Sequence, residues 1–145
     1  MHKPPVFLDS SVIIAALLSS RGGSYYALTQ LHERFAFHIN EYVLAEVQQI
    51  IQTKFQDQPQ LASNLFLLLG LAGVLVSTDP SKREVLSAAR LISKNDAPIL
   101  ASAIVNSDYL LTLDNEFLKP HITKEAKEKG LSILKPGDFI LLHRR

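Results

Sequence analysis

The chain contains no cysteine. That absence excludes disulfides and thiolate metal sites and leaves oxygen and imidazole as the side-chain ligands open to a metal. It is compatible with a reducing compartment, and a cytoplasmic location is the expectation. An excess of one charge is missing too: fifteen Lys and Arg face fourteen Asp and Glu, a formal net charge of +1, so bulk charge selects no partner. No internal repeat or low-complexity tract is apparent. With 47% hydrophobic and 20% charged residues, the composition is that of a globular chain, not a disordered one. Long apolar runs are also lacking. Leu65 to Val76 spans twelve residues and is interrupted by Gly70 and Gly73, too short to cross a bilayer, so no membrane association is expected. The stretch Val12 to Leu18, preceded by Lys3, has the outline of a signal peptide. Asp9 and Pro4-Pro5 break that outline, and the segment reads as a strand followed by a helix.

At 145 residues the expectation is one domain, 1–145, able to bury a continuous core. Charge is unevenly spread along it. Residues 119–145 hold seven Lys or Arg against three acids, and residues 1–118 hold eight against eleven. A basic C-terminal region beside an acidic body suits either a phosphate-binding surface or a solvated helix face on Lys124, Lys127 and Lys129.

Hydrophobic periodicity alternates between strand and helix. Strands are expected at Val6 to Asp9, Phe35 to Ile39, Val74 to Val76, Tyr109 to Leu113 and Leu131 to Leu134. Helices are expected at Ser10 to Leu18, after the turn Arg21-Gly22-Gly23-Ser24 through about Arg34, from near Asn40 through Phe55, from Pro59, at Lys82 to Ser93, at Ile99 to Val105 opened by the start signal Asn95-Asp96-Ala97-Pro98, near Thr123 to Lys129 and from Pro136. This order predicts an α/β domain of three layers, α/β/α, with a central, mainly parallel sheet.

Against that frame, four acids stand out: Asp9, Glu46, Asp96 and Asp114. Asp9 and Asp114 close strand-like segments, where open α/β sheets carry their ligand sites. Asp96 opens a nearly all-apolar helix, and Glu46 sits at the shoulder of an apolar arc formed by Val43, Leu44, Val47, Ile50 and Ile51. Singly, each has a structural explanation: Asp9, Asp96 and Asp114 fall at expected helix starts, where a carboxylate caps backbone N–H groups, and a shoulder Glu is commonly a solvent-edge residue. Together they would share one cleft. Carboxylates brought to ~4 Å repel by about 4 kcal/mol at an effective dielectric of ~20, so a cluster calls for a cation.

The runs Val6-Phe7-Leu8-Asp9-Ser10-Ser11-Val12-Ile13, Tyr42-Val43-Leu44-Ala45-Glu46-Val47, Asp96-Ala97-Pro98-Ile99-Leu100-Ala101-Ser102-Ala103 and Asp108-Tyr109-Leu110-Leu111-Thr112-Leu113-Asp114-Asn115-Glu116-Phe117, in that order over nearly the whole chain, resemble the PIN domain, and within it the prokaryotic toxins of the VapC type. The resemblance implies a divalent-metal-dependent ribonuclease using Mg²⁺ or Mn²⁺. Asp9, Glu46, Asp96 and Asp114 match the family's four acidic positions, with Ser10, Thr112 and Glu116 at supporting positions. It further implies RNA as substrate, an antitoxin protein as partner and a homodimer. Leu113 departs from the small residue that family members often have between the threonine and the aspartate. The chemistry is consistent on its own terms: hard divalent cations prefer carboxylate and water oxygens and activate water against phosphodiesters. On this expectation Asp9, Asp96 and Asp114 are the metal ligands, and Glu46 completes the shell or orients the attacking water.

Other signals are weaker. His2, His32, His38, His121 and His143 show no metal-ligand spacing. Arg21-Gly22-Gly23-Ser24 lacks the Walker spacing and lysine, and Ser10-Ser11 lacks the glycines of a nucleophile elbow. Arg90 and Lys94, one helical turn apart before Asp96, read as a solvated face or as a phosphate contact. Two competing readings are a PIN fold kept as a catalytically weak binding module, its acids serving as caps, and a phosphohydrolase with Asp9 as nucleophile. The second would need another aspartate two residues on, where Ser11 stands.

Overall fold

The computed structural model describes residues 2–144. Five short apolar segments become strands: β1 (Pro5–Leu8), β2 (Ala36–Asn40), β3 (Leu75–Ser77), β4 (Tyr109–Leu111) and β5 (Ser132–Leu134). The helices among the described residues are α1 (Ser10–Leu18), α2 (Gly23–Gln30), α3 (Glu41–Lys54), α4 (Gln60–Leu71), α5 (Lys82–Ala88), α6 (Ala97–Asn106), α7 (Pro120–Glu128) and α8 (Pro136–His143). The strands form one sheet in the order β3-β2-β1-β4-β5. Every pairing is parallel, so the expected mainly parallel sheet is wholly so.

Parallel neighbours need crossovers, and right-handed ones dictate the layers. From β1 the chain steps outward through β2 to β3, which carries α1 to α4 over one face. It then returns past β1 to β4 and β5, which sends α5 to α7 over the other. In keeping with this, α1 packs on α2, α3 and α4, α5 packs on α6, and α8 closes against α2. With both faces covered, the central strands can be apolar throughout, and Val6, Phe7, Leu8, Leu110 and Leu111 are fully buried. The edge strand β3 is different, with Leu75 58% and Val76 44% exposed.

Local chemistry explains most boundaries. Asn40 caps α3 by accepting the Val43 N–H at 2.9 Å, and Glu41 and Lys54 complement the helix dipole at its two ends. Ser81 and Glu84 form a reciprocal capping box on α5. Gly73 and Gly130 adopt positive φ of 64° and 88° just past α4 and α7. There Val74 and Leu131 donate back to Leu69 and Ala126 at 2.9 Å, the glycine-terminated helix end that a Cβ would strain.

Three expected helices have other limits. α2 stops at Gln30 because the chain must turn to bury Phe35. α5 stops at Ala88, where tighter bonds from Arg90 to Ser87 and from Leu91 to Ala88 take over. No helix follows Asp114: residues 115–118 are turns that drop Phe117 into the core, and α7 begins at Pro120, earlier than Thr123.

Candidate active site

The sheet order reverses direction at β1 and β4, whose connections leave for opposite faces. A crevice therefore opens beyond their C-terminal ends, where α/β sheets bind ligands. Asp9 sits there directly after β1 and is only 3% exposed. Its backbone N–H donates to Leu111 O at 3.0 Å, extending the ladder to β4. One carboxylate oxygen, Oδ2, accepts from Ser11 Oγ at 2.6 Å and from Thr112 Oγ1 at 2.8 Å. Thr112 Oγ1 in turn accepts the Asp114 N–H at 2.9 Å, and Ser11 Oγ accepts the Leu113 N–H at 3.0 Å. Two hydroxyls thus lace the end of β1 to the turn after β4 and orient the Asp9 carboxylate.

Asp9 and Asp96 both occupy N-cap positions, yet neither side chain makes a capping hydrogen bond. Their role as simple caps is not what the geometry expresses. Burial raises the Asp9 pKa, opposed by the hydroxyls of Ser11 and Thr112 and reinforced by Asp114. Asp96 is pushed up to about 6, first by burial and then by the negative charges of Asp114, Asp9 and Glu46, against a 3.2 Å bond from Ser93 Oγ. Asp96 is therefore within electrostatic reach of the other three acids, and Asp9 within reach of Asp114. Glu46 faces the group from α3, half-buried, where its Oε1 accepts from Ser10 Oγ at the start of α1. Tyr42, one turn earlier, donates its hydroxyl to Asn95 O at 2.7 Å, and its pKa is raised by burial and by Glu46, Asp96 and Asp79.

The PIN domain family model matches residues 6–121 of the sequence. The chain belongs to the PIN domain family. Among solved structures, it is similar to VapBC2 from Rickettsia felis bound to a DNA fragment from their promoter, with 20% identity over 89% of this chain and 96% of that one and a TM-score of 0.66. It is also similar to PAE2754 from Pyrobaculum aerophilum, with 22% identity, coverage of 98% and 91%, and a TM-score of 0.69. At these identities the likeness is one of fold. No curated protein matches the sequence.

Within this PIN domain the structure gathers Asp9, Glu46, Asp96 and Asp114 at one end of the sheet. It does not gather Glu116 with them in the same way. Glu116 is half-exposed and pairs with Lys119 at 3.0 Å, while its N–H donates to Asp114 Oδ1 at 3.0 Å. Leu113 fits because its side chain is 43% exposed and only its N–H enters the network. Sequence reasoning gave Ser11 and Tyr42 no role at the acids and passed over Ser93. In the sequence Ser11 is notable for lacking the glycines of a nucleophile elbow and for standing where a second aspartate would be needed, and nothing local announces its bond to residue 113.

Among the described residues the one salt bridge is Lys119 to Glu116, so no basic side chain neutralises the four acids. The donor set is all carboxylate, which suits Mg²⁺ or Mn²⁺. No three of these groups close into a ready-made metal cage among the described residues. The histidines stand apart: His143, for example, packs among Phe35, Tyr109 and Phe139.

Proposed function

We propose that this PIN domain is a divalent-metal-dependent endoribonuclease that hydrolyses RNA phosphodiester bonds, acting in the cytoplasm as the toxin of a toxin–antitoxin pair. The observation that carries the reading is the group of four carboxylates beyond β1 and β4, none in an ion pair among the described residues, with Asp96 pushed up to about 6 by burial and by the charges of the other three. Asp9, Asp96 and Asp114 are the residues to hold Mg²⁺ or Mn²⁺, directly or through water. Such a cation supplies a nucleophilic water at neutral pH and stabilises charge on the phosphoryl oxygens. Glu46, held by Ser10, orients the attacking water and accepts its proton. Thr112 and Ser11 keep Asp9 in its rotamer, and Glu116 supports the turn that carries Asp114.

The solved VapBC2 complex of similar fold supports a protein antitoxin as partner. For self-association, α4 supplies an apolar surface: Phe66, Leu67 and Leu71 are 55%, 71% and 57% exposed, and Leu75 on edge strand β3 is 58% exposed. Isolated exposed apolar residues are ordinary, but Leu67 and Leu71, one turn apart on α4 beside Phe66, form an exposed apolar face that supports an interface.

A second reading has an observation of its own. Because no preformed metal cage exists among the described residues, a PIN fold used only for binding is the alternative. Cleavage of a mixed single-stranded RNA pool with Mn²⁺, with Mg²⁺ and with excess chelator separates the two. The nuclease reading expects metal-dependent cuts that Asp9→Asn abolishes while the circular dichroism spectrum stays native. Cutting that persists in the variant removes Asp9 from the site, and no cutting in either metal favours the binding module.

A further inference from the structure

An acidic cleft repels the polyanion it is proposed to cut, so the substrate has to be held by cations elsewhere on the molecule. Of the eight Lys and Arg before position 119, four fall in residues 82–94: Lys82, Arg83, Arg90 and Lys94. All four are exposed, and none is in an ion pair among the described residues. The segment's one acid, Glu84, is engaged in the capping box, where its carboxylate accepts the Ser81 N–H at 2.8 Å. Lys82, Arg83 and Arg90 line an open groove on the outside of α5 together with Leu86 and Ser87. Leu86 is 60% exposed and offers an apolar spot among the charges. Arg90 also borders the cleft between α5, α6 and α7, which contains Glu84, Glu125 and Lys129.

The same segment continues along the chain to the acids. After α5 the chain rises through two tight turns to Asp96, whose N–H donates to Ser93 O at 3.1 Å and whose carboxylate accepts from Ser93 Oγ at 3.2 Å. Lys94 lies between these two residues. The basic region at the C-terminal end is less suited to the task. Lys119 is tied to Glu116, Lys127 donates to Ser132 Oγ at 2.9 Å, and Glu125 and Glu128 lie between the lysines.

We propose that the basic segment 82–94, with Lys82, Arg83 and Arg90 along the groove outside α5 and Lys94 two residues before Asp96, is the track that binds the backbone of single-stranded RNA and delivers it to the cleft at Asp96. The inference rests on the nuclease reading for its direction, although the binding surface is testable without it. Phosphate neutralisation dominates such affinity and makes it fall with salt, and no base-specific contact is required.

The test is fluorescence anisotropy of a labelled mixed-sequence single-stranded RNA in excess chelator, across a salt series. Wild type is compared with the variant Lys82→Gln, Arg83→Gln, Arg90→Gln, Lys94→Gln (the α5 variant), and with Lys124→Gln on α7 combined with Lys129→Gln at its C-cap (the α7 variant). Expected for the α5 variant is a loss of about tenfold or more in affinity and a log–log salt slope shallower by about 3, at ~0.7 per single-strand phosphate, with the α7 variant near wild type. Unchanged affinity and slope in the α5 variant overturn the track, as does an equal loss in the α7 variant. If the fourfold variant loses its native circular dichroism, the pairs 82/83 and 90/94 are measured separately, each expected to show about half the slope change.

Cleavage assays keep the two readings apart. Asp9-dependent cutting with unaltered RNA binding by the α5 variant sinks the track and leaves the nuclease standing. No cutting by wild type, with RNA binding that depends on α5, does the reverse.

Discussion

Asp96 shows how one side chain carries the site's tension. Its carboxyl is raised from 3.8 to about 6 by burial and then by neighbouring acids. In the metal-free protein the folded state therefore keeps a proton that the unfolded chain has released between these two values. Where the native state binds more protons, stability falls as pH rises. Wild type in chelator is expected to lose thermal stability from about pH 4 to about pH 6, and Asp96→Asn to make that part of the profile shallower, the buried Asp9 keeping a share of the slope. Thermal melts over this range in both proteins check it; parallel profiles would show that Asp96 carries no penalty. A divalent cation competes with the same proton, so added Mg²⁺ is expected to raise the wild-type melting temperature more above pH 6 than at pH 5.

At the scale of elements, the four acids come from the ends of β1 and β4, the middle of α3 and the start of α6, and what matters is how these are locked together. Asn40, fully buried at the end of β2, does much of this. Its Oδ1 caps α3 at Val43, and its Nδ2 donates to Ser102 Oγ at 2.8 Å and Pro98 O at 3.2 Å on α6. The helices carrying Glu46 and Asp96 are thereby referenced to one amide. Asn40→Ala is expected to cost about 2 kcal/mol, since it removes a cap and leaves buried groups unpaired. Urea unfolding measures it, and a change below ~0.5 kcal/mol would show the network to be dispensable. The cap itself is readable from Asn40 standing before an amphipathic run. Its partners Pro98 and Ser102 are not, because an apolar helix containing one serine reads as core and nothing more.

At the scale of the molecule, the sheet has a well-covered centre, while α4 carries an exposed apolar flank of Phe66, Leu67 and Leu71. If that flank seats a second copy, Leu67→Glu is expected to shift a wild-type dimer to monomer in sedimentation equilibrium. Leu67 is 71% exposed, so its loss should move stability by less than ~0.5 kcal/mol. A wild-type protein that stays monomeric at high concentration would remove the flank from self-association.

The α/β class, most helix and strand positions, and the placement of Asp9 and Asp114 at strand ends are legible in the amino-acid order alone. They depend on periodicity and on caps that act within a turn or two. The same local signals mislead where a tertiary demand intervenes: Asp114 looks like a helix start, but burial of Phe117 and the proline at 120 make a turn instead. Strand order and the reversal between β1 and β4 leave no periodic trace, since register is chosen by packing across the whole sheet. The same holds for the bonds that define the cleft, Thr112 to Asp9, Ser10 to Glu46 and Asn40 to Ser102. They join residues far apart in the chain, and the raised pKa of Asp96 exists only once folding has removed water and brought other negative charges near it.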